Sequence, residues 1–194
     1  MPRRKKFDLD GRCERCLQQT AHCACLDIPC VQTSTRFLLI RHWKERRKPS
    51  NTGRLVDYAL PNSTLIDYGA PGEQWNPDAL SVPRPALLFP DPDAPVCSYT
   101  PSTVIVIDGS WPQARKLVNK LPGLKSMPRL AISPPAHQRT RLRNPPIEGG
   151  MSTIEAVAAA IDALEGFPKG DPLRTLYDRI VEGATAARGR PLHR

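Results

Sequence analysis

The chain has 194 residues, 28 of them Lys or Arg against 19 Asp or Glu, for a formal net charge of +9. That length allows one ordinary domain with a sizeable core plus a small appendage, and the charge points to a polyanionic partner, nucleic acid first, although a solvated basic surface has the same composition. The longest apolar runs, FLLI, VIVI and AVAAAI, are too short to span a bilayer, and no apolar stretch of the signal-peptide kind follows the basic start MPRRKKFDLD, so a soluble, cytoplasmic protein without membrane contact is expected.

Five of the six cysteines lie between Cys13 and Cys30. Cys13 and Cys16 form a C-x-x-C pair, and Cys23 and Cys25 a C-x-C pair just downstream. Two tight turns of this kind aim four thiolates at one point, the usual tetrahedral site for structural zinc. A segment this short and polar has little apolar surface with which to fold unless a metal holds it. A disulfide cluster fits the compartment less well, and a redox C-x-x-C normally follows a strand that is missing here. Cys30 is an alternative fourth ligand, and Cys97 reads as a lone thiol. Residues 1–32 are therefore expected to form a basic N-terminus and zinc knuckle, with a second unit over 33–194.

From Thr35 onward strands, loops and helices alternate. TRFLLI reads as a buried strand, followed by a helix over TGRLVDYAL capped by Asn51, with Leu55 and Ala59 on one face. STLIDY, ALLF, TVIVI and RLAI are further strand-length apolar runs. Helical patterns follow at PQARKLVNKL, STIEAVAAAIDALEG and PLRTLYDRIVEG. The fold class is α/β, with a mostly parallel sheet flanked by helices. Ligands of such sheets bind beyond the carboxyl ends of the strands. The loops of interest are thus RHWKERRKPSN, PDPDAPV, DGSW and SPPAHQRTRLRNPPIEGGM.

DGSW carries the sharpest signal. Asp108 stands at a strand exit, and Gly109 permits close backbone approach. Ser110 and Gln113 have capping-box spacing, with Pro112 in the first helical turn. Helix initiation accounts for Ser110, Pro112 and Gln113 but not for a carboxylate and an aromatic, Asp108 and Trp111, at the same turn. Ser152 and Glu155 form a second capping box, behind the arginine-rich loop RLRNPPIEGG, and the amides of that helix start suit an anion.

In this order, the Cys-x-x-Cys…Cys-x-Cys start, RHWKERRKPSNTGRL, LLFPDPDA, IDGSWPQARKL and RLRNPPIEGGMSTIEA resemble the motifs of the DTW-domain proteins. Ser110 stands where that family has its name-giving Thr. The resemblance implies a SPOUT-like fold with a trefoil knot, and a tRNA-uridine aminocarboxypropyltransferase. Such an enzyme moves the 3-amino-3-carboxypropyl group of S-adenosylmethionine to N3 of a uridine, giving 3-(3-amino-3-carboxypropyl)uridine and methylthioadenosine. Alternatives are the same transfer to rRNA and a non-catalytic, zinc-containing RNA-binding adaptor.

The resemblance implies catalytic positions at Asp108, Ser110 and Trp111, with Asp108 as general base or as the group orienting the uridine; His42 is a second candidate base. Cofactor contacts are expected from Leu88, Phe89, Pro90, Asp108, Gly109, Leu130, Leu142, Ser152, Thr153 and Glu155. The tRNA is expected against Arg41, His42, Lys44, Arg46, Arg47 and Lys48, against Arg115 and Lys116, and against Arg139, Arg141 and Arg143, with Trp43 stacking on a base. S-adenosylmethionine is the expected co-substrate, zinc at Cys13, Cys16, Cys23 and Cys25 the expected structural metal, and a monomer the expected state.

Overall fold

In the computed structural model, which describes residues 11–133, 140–142 and 149–189, four parallel strands make one sheet. They are β1 (Arg36–His42), β2 (Ser63–Tyr68), β3 (Pro85–Leu88) and β4 (Thr103–Asp108), in the order β2-β1-β4-β3. Four helices complete the fold: α1 (Gly53–Ala59), α2 (Trp111–Lys120), α3 (Thr153–Glu165) and α4 (Asp171–Ala186).

The continuous apolar runs of β1 and β4 reflect burial on both faces, as parallel sheets require. Phe37, Leu39, Val104 and Val106 point to the side covered by α1, α3 and α4. Leu38, Ile40, Ile105 and Ile107 point to the side covered by α2. The pleat therefore sends Asp108, in step with Val104 and Val106, toward α1 and α3.

The chain leaves β1 through α1 to β2 on one flank, whereas β4 is reached from β3 on the other. The crevice beyond the carboxyl ends of β1 and β4 is the topological switch point, where open parallel sheets bind ligands.

Two expectations change. RLAI does not form a fifth strand: only Arg129 bridges, to Leu87 and Val96. Leu130 N donates to Leu87 O at 3.0 Å and Leu87 N to Pro128 O at 2.8 Å. Pro128 has no N–H to offer a ladder. The Arg129 guanidinium turns inward to the carbonyls of Leu124 and Met127 and to Asp91. The second change concerns Asn51: Thr52 is the N-cap residue of α1 by position but makes no side-chain cap bond, Asn51 Oδ1 accepts from Arg54 N at 3.4 Å, and the Asn51 amide is used elsewhere, as described below.

The cysteine knuckle packs into the same core as the sheet. Cys16, Ala24 and Val31 are buried with residues of α1, α3 and α4. The short helix Thr20–His22 lies on α4, where a Cβ at Gly183 would come within 3.0 Å of the His22 Cβ. Arg179 pairs with Asp27 at 2.8 Å, and the Arg15 guanidinium sits 4.9 Å from the Tyr58 ring centroid. Among the described residues, no helix is long and apolar enough to cross a membrane.

Candidate active site

A cavity of about 210 Å³ opens at the switch point. Its walls are the loop after β1 (Glu45, Ser50, Asn51, Thr52), the turn after β4 (Asp108 to Pro112), and the approach to α3 with Arg141, Leu142 and residues 150–153; Tyr177 of α4 closes one side.

Two buried acids line this cavity, Glu45 and Asp108, and Asp108, 2% exposed, is the one at the end of a strand. Asn51 Nδ2 donates to its Oδ2 at 2.6 Å and Thr153 Oγ1 to its Oδ1 at 2.7 Å. The carboxyl group thus joins the end of β4 to the starts of α1 and α3, where helix dipoles favour negative charge. Gly53 makes the approach possible: a Cβ there would lie 2.3 Å from Asp108 Oδ2. Burial raises the Asp108 pKa above the ordinary value, and the hydrogen bonds from Asn51 and Thr153 and the charge of Arg41 only partly oppose it.

Beside it, β1 places Arg41 between Asp67 and Asp108 in register. Arg41 is buried and grips Asp67 with two bonds, Nε to Oδ1 at 2.6 Å and Nη2 to Oδ2 at 3.1 Å. Arg46 Nε adds a third at 2.7 Å. Burial alone would raise the Asp67 pKa, but the two guanidinium groups outweigh it and hold it below the usual carboxylate range. Arg54, also buried, donates from Nη2 to the carbonyls of Arg46 and Lys48 at 2.6 and 3.3 Å, clamping the loop after β1 onto α1. Lys48 pairs with buried Glu45. His42 Nδ1 accepts from Lys44 N at 3.2 Å, and burial followed by the Lys44 charge lowers its pKa.

At the start of α3, Glu155 Oε2 accepts from Ser152 N and Ser152 Oγ at 2.8 and 2.7 Å, completing the capping box. Arg141 donates from Nη1 to Gly150 O, and its Nε faces Glu155 Oε1 at 3.4 Å. Tyr177 Oη accepts from Leu142 N at 3.4 Å, and burial, then the Glu155 charge, raises its pKa, so it stands as a neutral phenol.

The structure brings Asp108, Gly109, Ser110, Trp111, Leu142, Ser152 and Thr153 to one cavity. Leu88, Phe89, Pro90, Leu130 and Glu155 are not part of its lining, although Phe89 meets Trp111 with ring centroids 6.0 Å apart and Glu155 holds Ser152. Ser110 and Gln113 form the capping box of α2, with Ser110 N donating to Gln113 Oε1 at 2.7 Å. Of the basic residues, Lys44, Arg46, Arg47, Arg115 and Lys116 are exposed, Lys48 and His42 are half-buried, and Lys44 lies over the Trp43 ring. Arg41 is inside the fold on Asp67, and Arg141 is in the cavity wall. Arg139 and Arg143 lie outside the described residues. Sequence reasoning missed Glu45, Thr52 and Tyr177, and read Asn51 as a helix cap without its bond to Asp108.

The Sγ atoms of Cys13, Cys16, Cys23 and Cys25 all lie within 4.8 Å of one another, with Cys13–Cys25 at 3.6 Å and Cys16–Cys23 at 3.7 Å. Two thiolates each 2.3 Å from a tetrahedral zinc are about 3.8 Å apart, so the cluster fits that ion. Cys30 is exposed and contacts Gln32; it is not in the cluster.

The DTW domain matches residues 10–184. The chain is 26% identical over 172 residues to tRNA-uridine aminocarboxypropyltransferase 2 of Drosophila melanogaster, covering 82% of this chain and 68% of that protein. It is 27% identical over 170 residues to the proteins of the same name from Macaca fascicularis and Mus musculus, covering 79% and 80% of this chain. The chain spans 56% of the length of each mammalian protein. No solved structure matches.

Proposed function

The chain belongs to the DTW-domain family, and on that premise we propose that it is an S-adenosylmethionine-dependent tRNA-uridine aminocarboxypropyltransferase. The observation that carries this reading is the placement of Asp108: a buried acid at the switch point, fixed by two donors from two helix starts, on the wall of a cavity.

The reaction needs an N3–Cγ bond to form as the Cγ–sulfonium bond breaks, with methylthioadenosine leaving. The uridine N3 proton must go to a base. Asp108 is that base in this reading, and its raised pKa makes it a better proton acceptor than an ordinary Asp. Asn51 and Thr153 hold its carboxylate in place before the substrate arrives, so no reorganisation is needed at the moment of reaction. Three carbons on a sulfonium are electrophilic, and positioning decides which one reacts. Trp111 and Leu142 supply apolar wall for the methyl and adenosine side. His42, whose pKa is lowered and whose Nδ1 is bound to the Lys44 amide, orders the loop instead.

The exposed Lys44, Arg46, Arg47, Arg115 and Lys116 supply phosphate contacts for the tRNA, so affinity should fall steeply with salt. Trp43 offers a stacking face for a base, and the target uridine must be unstacked to enter the cavity. Zinc on the four cysteines is structural, fastening the knuckle to α1 and α4. We also read the sheet as a SPOUT-like core, and the protein as a cytoplasmic monomer.

Bulk tRNA incubated with S-adenosylmethionine labelled at the carboxyl or at the methyl carbon tests the proposal. Carboxyl label in tRNA is the expected result. Methyl label alone, or no label with intact tRNA binding, would replace it with methyl transfer or with the adaptor reading.

A further inference from the structure

We propose that Arg141 receives the α-carboxylate of the aminocarboxypropyl group, at the mouth of α3; the inference rests on the transferase reading and adds which residue recognises the amino-acid end. Surface arginines that meet phosphate are exposed, as Arg46 and Arg47 are. The Arg141 side chain is only 13% exposed and lies in the cavity wall. Its position is fixed from behind: Nη1 holds Gly150 O, and Nε lies 3.4 Å from Glu155 Oε1. Both Nε and Oε1 are buried without a hydrogen-bond partner, and the Glu155 side chain is 6% exposed. Buried charged groups left short of partners are expensive. Nε is turned to Glu155, so an added carboxylate meets the guanidinium through its Nη groups, as a charge-assisted contact of the kind arginine favours.

The charge layout of the cavity agrees. Arg141 and the buried acids Glu45 and Asp108 all line it, with Asp108 held by Thr153 at the start of α3 and Arg141 held by Gly150 and Glu155. A zwitterionic amino-acid group finds an opposite charge for each of its ends in such a lining, its carboxylate at Arg141 and its ammonium toward an acid. A free amino acid, a tRNA phosphate and a sugar hydroxyl lack that combination of charge and a sulfonium-linked adenosine. Glu155 acts as the positioning residue, since its other oxygen is already fixed by Ser152.

Calorimetric titration of the full chain with S-adenosylmethionine, decarboxylated S-adenosylmethionine and methylthioadenosine tests this. The wild-type protein should bind S-adenosylmethionine on the order of tenfold to a hundredfold more tightly than its decarboxylated form. Arg141→Met should abolish that preference while binding methylthioadenosine as the wild type does, and Arg141→Lys should restore part of it. A wild-type protein that binds the two sulfonium ligands equally overturns the Arg141 assignment alone and leaves the transferase reading standing. An R141M protein that keeps the preference does the same. A wild-type protein that binds none of the three ligands overturns both. Because the wild-type comparison needs no variant, poor folding of R141M would not rescue the assignment.

Discussion

Replacing Gly53 by Ala puts one methyl group where the Asp108 carboxylate stands. The new Cβ would lie 2.3 Å from Oδ2 and 2.6 Å from the carboxyl carbon. An ordinary carbon–oxygen contact is about 3.3 Å, so the carboxylate must retreat by about 1 Å. It cannot retreat freely, because Asn51 and Thr153 hold its two oxygens at 2.6 and 2.7 Å. Overpacking costs about 1–3 kcal/mol and a strained charged hydrogen bond about 1.5–3 kcal/mol more, against about 0.4–1 kcal/mol gained from the loss of glycine entropy. The net is a loss of about 2–5 kcal/mol, or about 4–20 °C in Tm for a chain of this size. A catalytic group moved by 1 Å should lose about a hundredfold in rate. Thermal unfolding by circular dichroism and transfer of carboxyl label read the two effects. If G53A melts above the wild type and turns over normally, the carboxylate is not pinned against α1, and the site is wrongly built.

Asp108→Asn keeps the shape, since its oxygen can face Asn51 and its amide Thr153; the fold and ligand binding should survive while transfer falls by about 10²–10⁴. Because burial raises the Asp108 pKa, its protonated form is the more stable in the fold, so this residue's contribution declines as pH rises from the unfolded value of 3.8 through the folded one and is then constant; D108N should lack that decline and the matching acid limb of the rate profile. Asp67 behaves oppositely: its pKa is held down, so its contribution is complete above 3.8 and disappears as pH falls through the folded value. Asp67→Asn should cost about 3–5 kcal/mol at neutral pH by leaving Arg41 buried and unpaired, measured by denaturant unfolding; a loss under about 1 kcal/mol would contradict the buried pairing. One zinc per chain is expected by elemental analysis. Cys16→Ser should lower zinc content and Tm, whereas Cys30→Ser should change neither, and zinc loss in C30S would put the fourth ligand at that residue.

The sheet was legible because burial on both faces writes itself as uninterrupted apolar runs at β1 and β4. RLAI has the same run length, yet its flanking proline and the inward turn of Arg129 leave it one residue of pairing. Asp108 was legible because a carboxylate closing an apolar strand has no local use. Asn51 was not: a residue before a helix reads as a cap, and its second partner is 57 positions away. Arg41 and Arg141 looked like their exposed neighbours, since sequence shows charge but not which side chain the pleat or the cavity takes inside. Tyr177 sits on the buried stripe of α4, where only the tertiary approach of Leu142 and Ser152 gives its hydroxyl a role.

The leaving group tests the central claim most directly. When purified protein, tRNA and S-adenosylmethionine react, methylthioadenosine should appear one-for-one with 3-(3-amino-3-carboxypropyl)uridine in the tRNA, by chromatography of both products, and D108N should slow both in step. S-adenosylhomocysteine paired with a methylated nucleoside would contradict the account.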